Sequence, residues 1–129
     1  MRIISLVARP LLASMFVYGG LDAVRNPAGK VPRAEKVAPD IAGLVGIDAD
    51  TEQLVQFNGA VQIGAGITLA LGIMPRLSAV LLAGSLVPTT LAGHRFWEAE
   101  DEATKSQQTI QFLKNAGMLG GLLLVVEHG

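Results

Sequence analysis

At 129 residues and 13.5 kDa, the chain has room for a single domain. Ten Lys and Arg face eleven Asp and Glu, and the resulting net charge of −1 argues against nucleic acid, which requires a basic face. The absence of cysteine excludes disulfide frameworks, thiol redox catalysis, iron–sulfur clusters and Cys-based zinc sites.

Hydropathy is the informative quantity. Half of the residues are apolar, 16% are charged, and the mean hydropathy is +0.46. Counting the 15 glycines brings the apolar share to roughly 60%, against about 45–50% in soluble domains. A soluble fold of this size could hardly bury so much, so the composition points to an integral membrane protein.

Four apolar stretches follow in chain order, at 3–24, 54–75, 77–93 and 109–126. Each is near the ~20 residues that a helix needs to cross a hydrocarbon core. Helices are expected because lipid offers no partner to unpaired backbone groups, and four segments are too few for a closed barrel. The second and third stretches carry no charge inside them, whereas a soluble amphipathic helix would show a charged stripe. The expected architecture is therefore an all-α integral membrane four-helix bundle, one four-span domain over residues 1–129.

The first stretch opens like a signal peptide with Met1 and Arg2, but Arg9 and Pro10 interrupt it and no small-residue cleavage site follows. A retained helix is expected. The loop over 25–53 holds a mixed segment at 32–45 that suits an interfacial helix or a plain loop. Asp50 and Gln53 offer a capping box for the second span. Met74-Pro75-Arg76 forces a hairpin between spans two and three, and Pro88, beside Thr89 and Thr90, should kink the third, opening a cavity or shaping the packing. The acidic run at 98–102 reads as a solvated turn or helix start. Pairs such as Ala60/Gly64, Gly66/Ala70, Ala79/Ala83 and Gly117/Gly121 would let helices approach closely, within the bundle or in a homo-oligomer.

An even number of spans places both termini at one end of the bundle and the two long connections at the other. All six aromatic residues (Phe16, Tyr18, Phe57, Phe96, Trp97 and Phe112) fall in the loop-end half, whereas aromatic belts ordinarily occupy both interfaces. The candidate ligand-binding residues gather there too: Asp22, Asn58, Gln62, His94, Arg95, Trp97, Lys114 and Asn115. Intramembrane polar groups are costly and read as functional by default. Each has a structural alternative. Asp22 either pairs with Lys114 or marks the water boundary, and Lys114 can snorkel. Asn58 and Gln62, one turn apart, serve a ligand or hydrogen-bond neighbouring helices. Arg9, near the terminal end, is expected to snorkel.

His94 and His128 sit at opposite ends, roughly 30 Å apart, so they cannot jointly ligate haem or a metal. No metal-spaced cluster, catalytic triad or phosphate loop appears. His94 and Arg95 beside Phe96 and Trp97 could instead donate to a quinone carbonyl while aromatics flank its ring. By the positive-inside count, six Lys and Arg in the loops against two at the terminal end place both loops in the cytoplasm.

Several stretches together carry a resemblance along nearly the whole chain. They are Arg9, Gly19-Gly20-Leu21-Asp22-Ala23-Val24-Arg25-Asn26-Pro27, Asn58-Gly59, Gly72, Pro75-Arg76, Gly93-His94-Arg95-Phe96-Trp97-Glu98, Phe112-Leu113-Lys114-Asn115 and Gly120-Gly121-Leu122. With these the chain resembles DoxX-family membrane proteins, particularly the actinobacterial branch. The resemblance implies a four-helix bundle of the bacterial inner membrane, associated with oxidoreductase systems. Relatives include the membrane subunit of a thiosulfate:quinone oxidoreductase and anchors that gather redox-defence and sulfur-transfer proteins. A redox-complex protein partner is thus expected beside the membrane lipids. The family supplies no catalytic residue to carry over, and without cysteine this chain performs no thiol relay. A small transporter and a non-catalytic assembly scaffold are the alternative readings.

Overall fold

A computed structural model describes residues 2–29, 51–93 and 96–129. The expected interfacial segment at 32–45, Asp50, His94 and Arg95 lie outside the described residues. Among those described there is no strand, and four long helices run as α1 (Arg2–Arg25), α2 (Thr51–Leu71), α3 (Pro75–Gly93) and α4 (Glu102–His128). Two short 3₁₀ turns, Pro27–Gly29 and Phe96–Glu98, follow α1 and α3. α1 continues through Pro10 and α3 through Pro88. α4 starts well ahead of its apolar stretch because Asp101 caps it, accepting the Thr104 backbone N–H at 3.3 Å.

The hairpin between α2 and α3 is built from local chemistry. Gly72 takes φ +72°, its N–H donates to the Leu69 carbonyl, and Ile73 N–H donates to Thr68. These are the two bonds of a Schellman ending, which satisfies carbonyls that would otherwise be orphaned in lipid. Met74 also has positive φ, at 43°, and its carbonyl accepts from Ser78 N–H. Pro75 then opens α3, at the position where its missing N–H costs nothing.

The tight turn makes α2 and α3 an antiparallel pair. α1 packs along α2, and α4 along α3. α1 and α4 approach each other where Leu12 lies 3.6 Å from the Cβ position of Gly121. All four helices supply the core: Ala13 and Phe16, Ala65 and Leu69, Ala79, Leu82 and Leu86, and Leu122. Close approach of α1 and α2 rests on Gly20, Gly59 and Gly66, whose Cβ positions fall within 3 Å of the opposing helix. Gly64 and Gly117, from the small-residue pairs read in the sequence, face open space instead.

The outer surface is apolar. Ile3, Leu11, Leu71, Leu77, Ile110 and Leu124 are all exposed. Three helical segments, Ile3–Arg25, Thr51–Leu71 and Glu102–His128, are long and apolar enough to cross a membrane, yet at most 33% of any apolar window is buried inside the protein. Water would not tolerate so large an uncovered apolar surface, whereas hydrocarbon matches it. The protein is an all-α membrane four-helix bundle.

Candidate functional site

The antiparallel register of the hairpin aligns polar side chains near its loop end. A step of four residues forward on α2, from Asn58 to Gln62, is matched by a step of four back on α3, from Thr89 to Ser85. Gln62 Nε2 donates to Ser85 Oγ at 2.9 Å, and Ser85 Oγ donates to Asn58 Oδ1 at 2.7 Å. Asn58 Nδ2 donates to Thr89 Oγ1 at 3.0 Å, and the Thr89 hydroxyl donates back to the Ser85 carbonyl at 2.8 Å. Gln62 and Ser85 are buried. The amides of Asn58 and Gln62 thus bind α3 through its hydroxyls.

α3 also carries polar contact to α4. Asn115, buried on α4, donates through Nδ2 to Thr90 Oγ1 at 2.9 Å, and that hydroxyl donates to the Leu86 carbonyl at 2.8 Å. Thr89 and Thr90 point to different helices because adjacent residues on a helix are about 100° apart. α3 is therefore polar towards α2 and α4 at one depth. Nearer the hairpin turn a separate pair, Thr68 and Ser78, shares a hydroxyl–hydroxyl bond of 2.6 Å. Fully buried Leu69 and Leu82 occupy the same part of the core.

Of the remaining candidates, Asp22, Trp97 and Lys114 lie within the described residues. Asp22 is half-buried, its carboxylate accepts Asn26 Nδ2 at 3.3 Å, and its backbone carbonyl accepts the Asn26 N–H at 2.8 Å. Lys114 is exposed on the outside of α4, and no ion pair joins it to Asp22. Of the two readings offered for Asp22, pairing with Lys114 is thus not found. Trp97 stands edge-on to Phe112, with centroids 6.0 Å apart and planes at 83°, and keeps half of its surface exposed. Such a pair is a T-shaped contact and not a parallel slot. Tyr18 and Phe57 are exposed in the same half of the bundle.

Ser85, Thr89 and Thr90 are central to these contacts, although the sequence reading gives them no role in a site. Their signal was the i, i+4 spacing of Ser85 and Thr89, which mirrors Asn58 and Gln62 once the hairpin register is set. Chemically, the amide–hydroxyl network contains no titratable group, so it fixes helix register and moves no proton at ordinary pH.

A protein-family model described as DoxX matches residues 4–95. The match covers α1 to α3 and the connection between the first two; the Phe112–Asn115 and Gly120–Leu122 stretches of α4 lie beyond it. Comparison with curated proteins and with solved structures gave no match. The matched region is well over half of the chain, and the chain belongs to the DoxX family, a membrane family often linked to redox-related functions.

Proposed function

We propose that the protein is a four-span subunit of the bacterial inner membrane that serves an oxidoreductase or redox-defence complex. It offers its loop end to a soluble partner and contacts quinone there. The observation that carries this reading is the concentration of aromatic and polar groups at one end, with Trp97 half-exposed beside Phe112 and two residues after Arg95 in the run His94-Arg95-Phe96-Trp97. His and Arg supply donors for a quinone carbonyl, and Trp97 supplies a face for its ring. Residues 102–107 of α4 are all exposed and mostly polar, which gives a partner a water-side surface on the same end. The family's redox links point the same way.

A subunit role is favoured over a permeation path by the core. The Asn58–Gln62–Ser85–Thr89 network and the Thr68–Ser78 pair are separated along α2 by Ala65 and along α3 by Ala79 and Leu82, all buried and apolar.

Trp97 is the sole tryptophan, so its fluorescence reads the proposed site directly. Titration of the purified protein with a short-chain quinone should quench it saturably, and His94→Ala should weaken the apparent affinity at least tenfold while leaving the helical content unchanged. Linear, non-saturating quenching that is identical in both proteins would exclude the quinone contact. Native mass spectrometry of gently extracted protein tests the partner: a co-purifying redox protein supports the subunit reading, and a bare chain counts against it.

A further inference from the structure

α1 stands at the edge of the bundle. It packs along α2 and meets α4 where Leu12 lies against Gly121, which leaves most of its outer side uncovered. On that side Ile4, Val7, Leu11, Ser14, Tyr18 and Leu21 are all exposed. Their spacing alternates between three and four residues, the a and d pattern by which two helices pack in a left-handed pair. No charged residue stands in this seam.

The middle of the seam is polar, and the contacts of neighbouring residues give its depth. The Cβ position of Gly66 on α2 lies 2.8 Å from Val17 Cγ2, and that of Gly19 lies 3.8 Å from Gln62 Oε1. Tyr18 is therefore level with residues 62–66, within about a turn of the middle of α2. Half of the hydrocarbon core, less one turn, leaves about 10 Å to the nearer interface. That is farther than a tyrosine side chain reaches, so Tyr18 does not act as an ordinary interfacial aromatic. Helical side chains also lean toward the N-terminus of their helix, which carries the phenol over Ser14, one turn back. Tyr18 is 74% exposed, and its hydroxyl has no hydrogen-bond partner among the described residues. A donor left facing hydrocarbon carries a desolvation cost that lipid does not offset. Ser14 donates its own hydroxyl proton to the Leu11 carbonyl at 2.7 Å, so its oxygen remains an acceptor. An acyl chain offers no acceptor at this depth, whereas a second copy of the chain does. Two copies insert in one orientation, so a two-fold axis along the membrane normal brings equal residues to equal depth.

We infer that this seam of α1 is the contact between two parallel copies of the chain, with each Tyr18 hydroxyl donating to the other copy's Ser14 Oγ. The contact does not rest on the redox reading. The chain has no cysteine, so single cysteine substitutions report the contact without background. Leu11→Cys, in the seam, should form a disulfide-linked dimer on mild oxidation of native membranes. Leu6→Cys, exposed but turned about 100° from Val7, should stay monomeric, as should Leu124→Cys on the outer side of α4. Tyr18→Phe keeps the ring and loses the donor. In bilayers, dilution of labelled full-length protein should show its dimer dissociation constant raised about eightfold, for two interhelical bonds. Ser14→Ala should do the same, and the double substitution should be no weaker than either single one, because all three remove the same two bonds. Both side chains face outward, so Trp97 emission should be unchanged in each variant. A dimer linked through Leu124→Cys and not through Leu11→Cys places the second copy on another face and overturns the seam. A Leu11→Cys disulfide to a different protein overturns it too, as does a chain that stays monomeric in bilayers. Additive losses from Tyr18→Phe and Ser14→Ala, or no loss from either, overturn the bond between them.

Discussion

A Cβ atom added to Gly20 would lie 2.6 Å from the carbonyl oxygen of Gly59, and one added to Gly59 would lie 2.8 Å from the carbonyl oxygen of Gly20. The backbones of α1 and α2 touch at this crossing, and both opposing atoms are main-chain, so neither can swing aside. Without a hydrophobic drive between helices in lipid, such close backbone approach is a principal source of packing energy. Gly20→Ala or Gly59→Ala should destabilise the bundle by about 1–3 kcal/mol, the usual cost of overpacking. Gly64→Ala is the control, since its Cβ meets nothing within 4 Å. Its better helix propensity should leave stability unchanged or raise it by up to about 1 kcal/mol. Unfolding midpoints in mixed micelles decide the matter; equal losses at Gly59 and Gly64 would remove the crossing as a cause.

Ser85 is the shared partner of two amides. Ser85→Ala removes the acceptor of Gln62 Nε2 and the donor to Asn58 Oδ1 together. Interhelical hydrogen bonds in membranes average about 0.6 kcal/mol, and a stranded buried amide adds its own desolvation cost of about 1–3 kcal/mol. The single substitution should therefore lose about 2–4 kcal/mol. Adding Gln62→Leu, which removes the stranded group, should recover part of that loss. A double-mutant cycle on unfolding free energies reads this directly, and strictly additive losses would show that the two residues do not interact.

Membrane character and helix number were legible because apolar length is a one-dimensional property of the chain. The contacts were not, since they depend on rotation about each helix axis. Asp22 and Lys114 occupy matching ends of α1 and α4, yet Lys114 turns outward. Gly117 and Gly121 carry the spacing of a helix interface, yet only Gly121 meets another helix, at Leu12. The sequence alone offered Asn58 and Gln62 two uses, a ligand or a neighbouring helix. The turn at Gly72 to Pro75 sets the register that joins them to Thr89 and Ser85. Rotation can be inferred only where a short connection ties two helices together, and α1 and α4 have no such connection to each other.

Met74 and Gly72 both take left-handed φ, at 43° and 72°, but only one of them is glycine. For a residue with a Cβ that conformation costs roughly 1–2 kcal/mol. Met74 is exposed, so its side chain recovers little of this through packing within the protein. Met74→Gly should be neutral or stabilising by up to about 1 kcal/mol, once the greater flexibility of unfolded glycine is set against the relieved strain. Gly72→Ala should go the other way by about 1–2 kcal/mol, with an added clash because Arg9 Nη1 lies 3.0 Å from the new atom. Thermal unfolding of the two variants in one detergent gives the comparison, and a loss for Met74→Gly would show that packing outweighs strain at the turn.

Asp101 ties the polar start of α4 to pH. Its carboxyl is held below the ordinary carboxylate value, first by the Thr104 hydroxyl and then by the Thr104 backbone N–H, both of which favour the ionised form. A depressed folded value means that the cap is fully present above the ordinary carboxylate range, near about 4, and is lost as pH falls through the lower folded value. A spin label at Ser106, one turn inside the helix and exposed, should therefore be immobile at neutral pH and grow mobile in acid. Asp101→Ala should make it mobile throughout, with a flat profile across that range. Glu100 and Glu102 flank the cap but are not the group bonded to Thr104, so Glu102→Gln should keep the acid transition. An acid transition that persists in Asp101→Ala would transfer the effect to those neighbours.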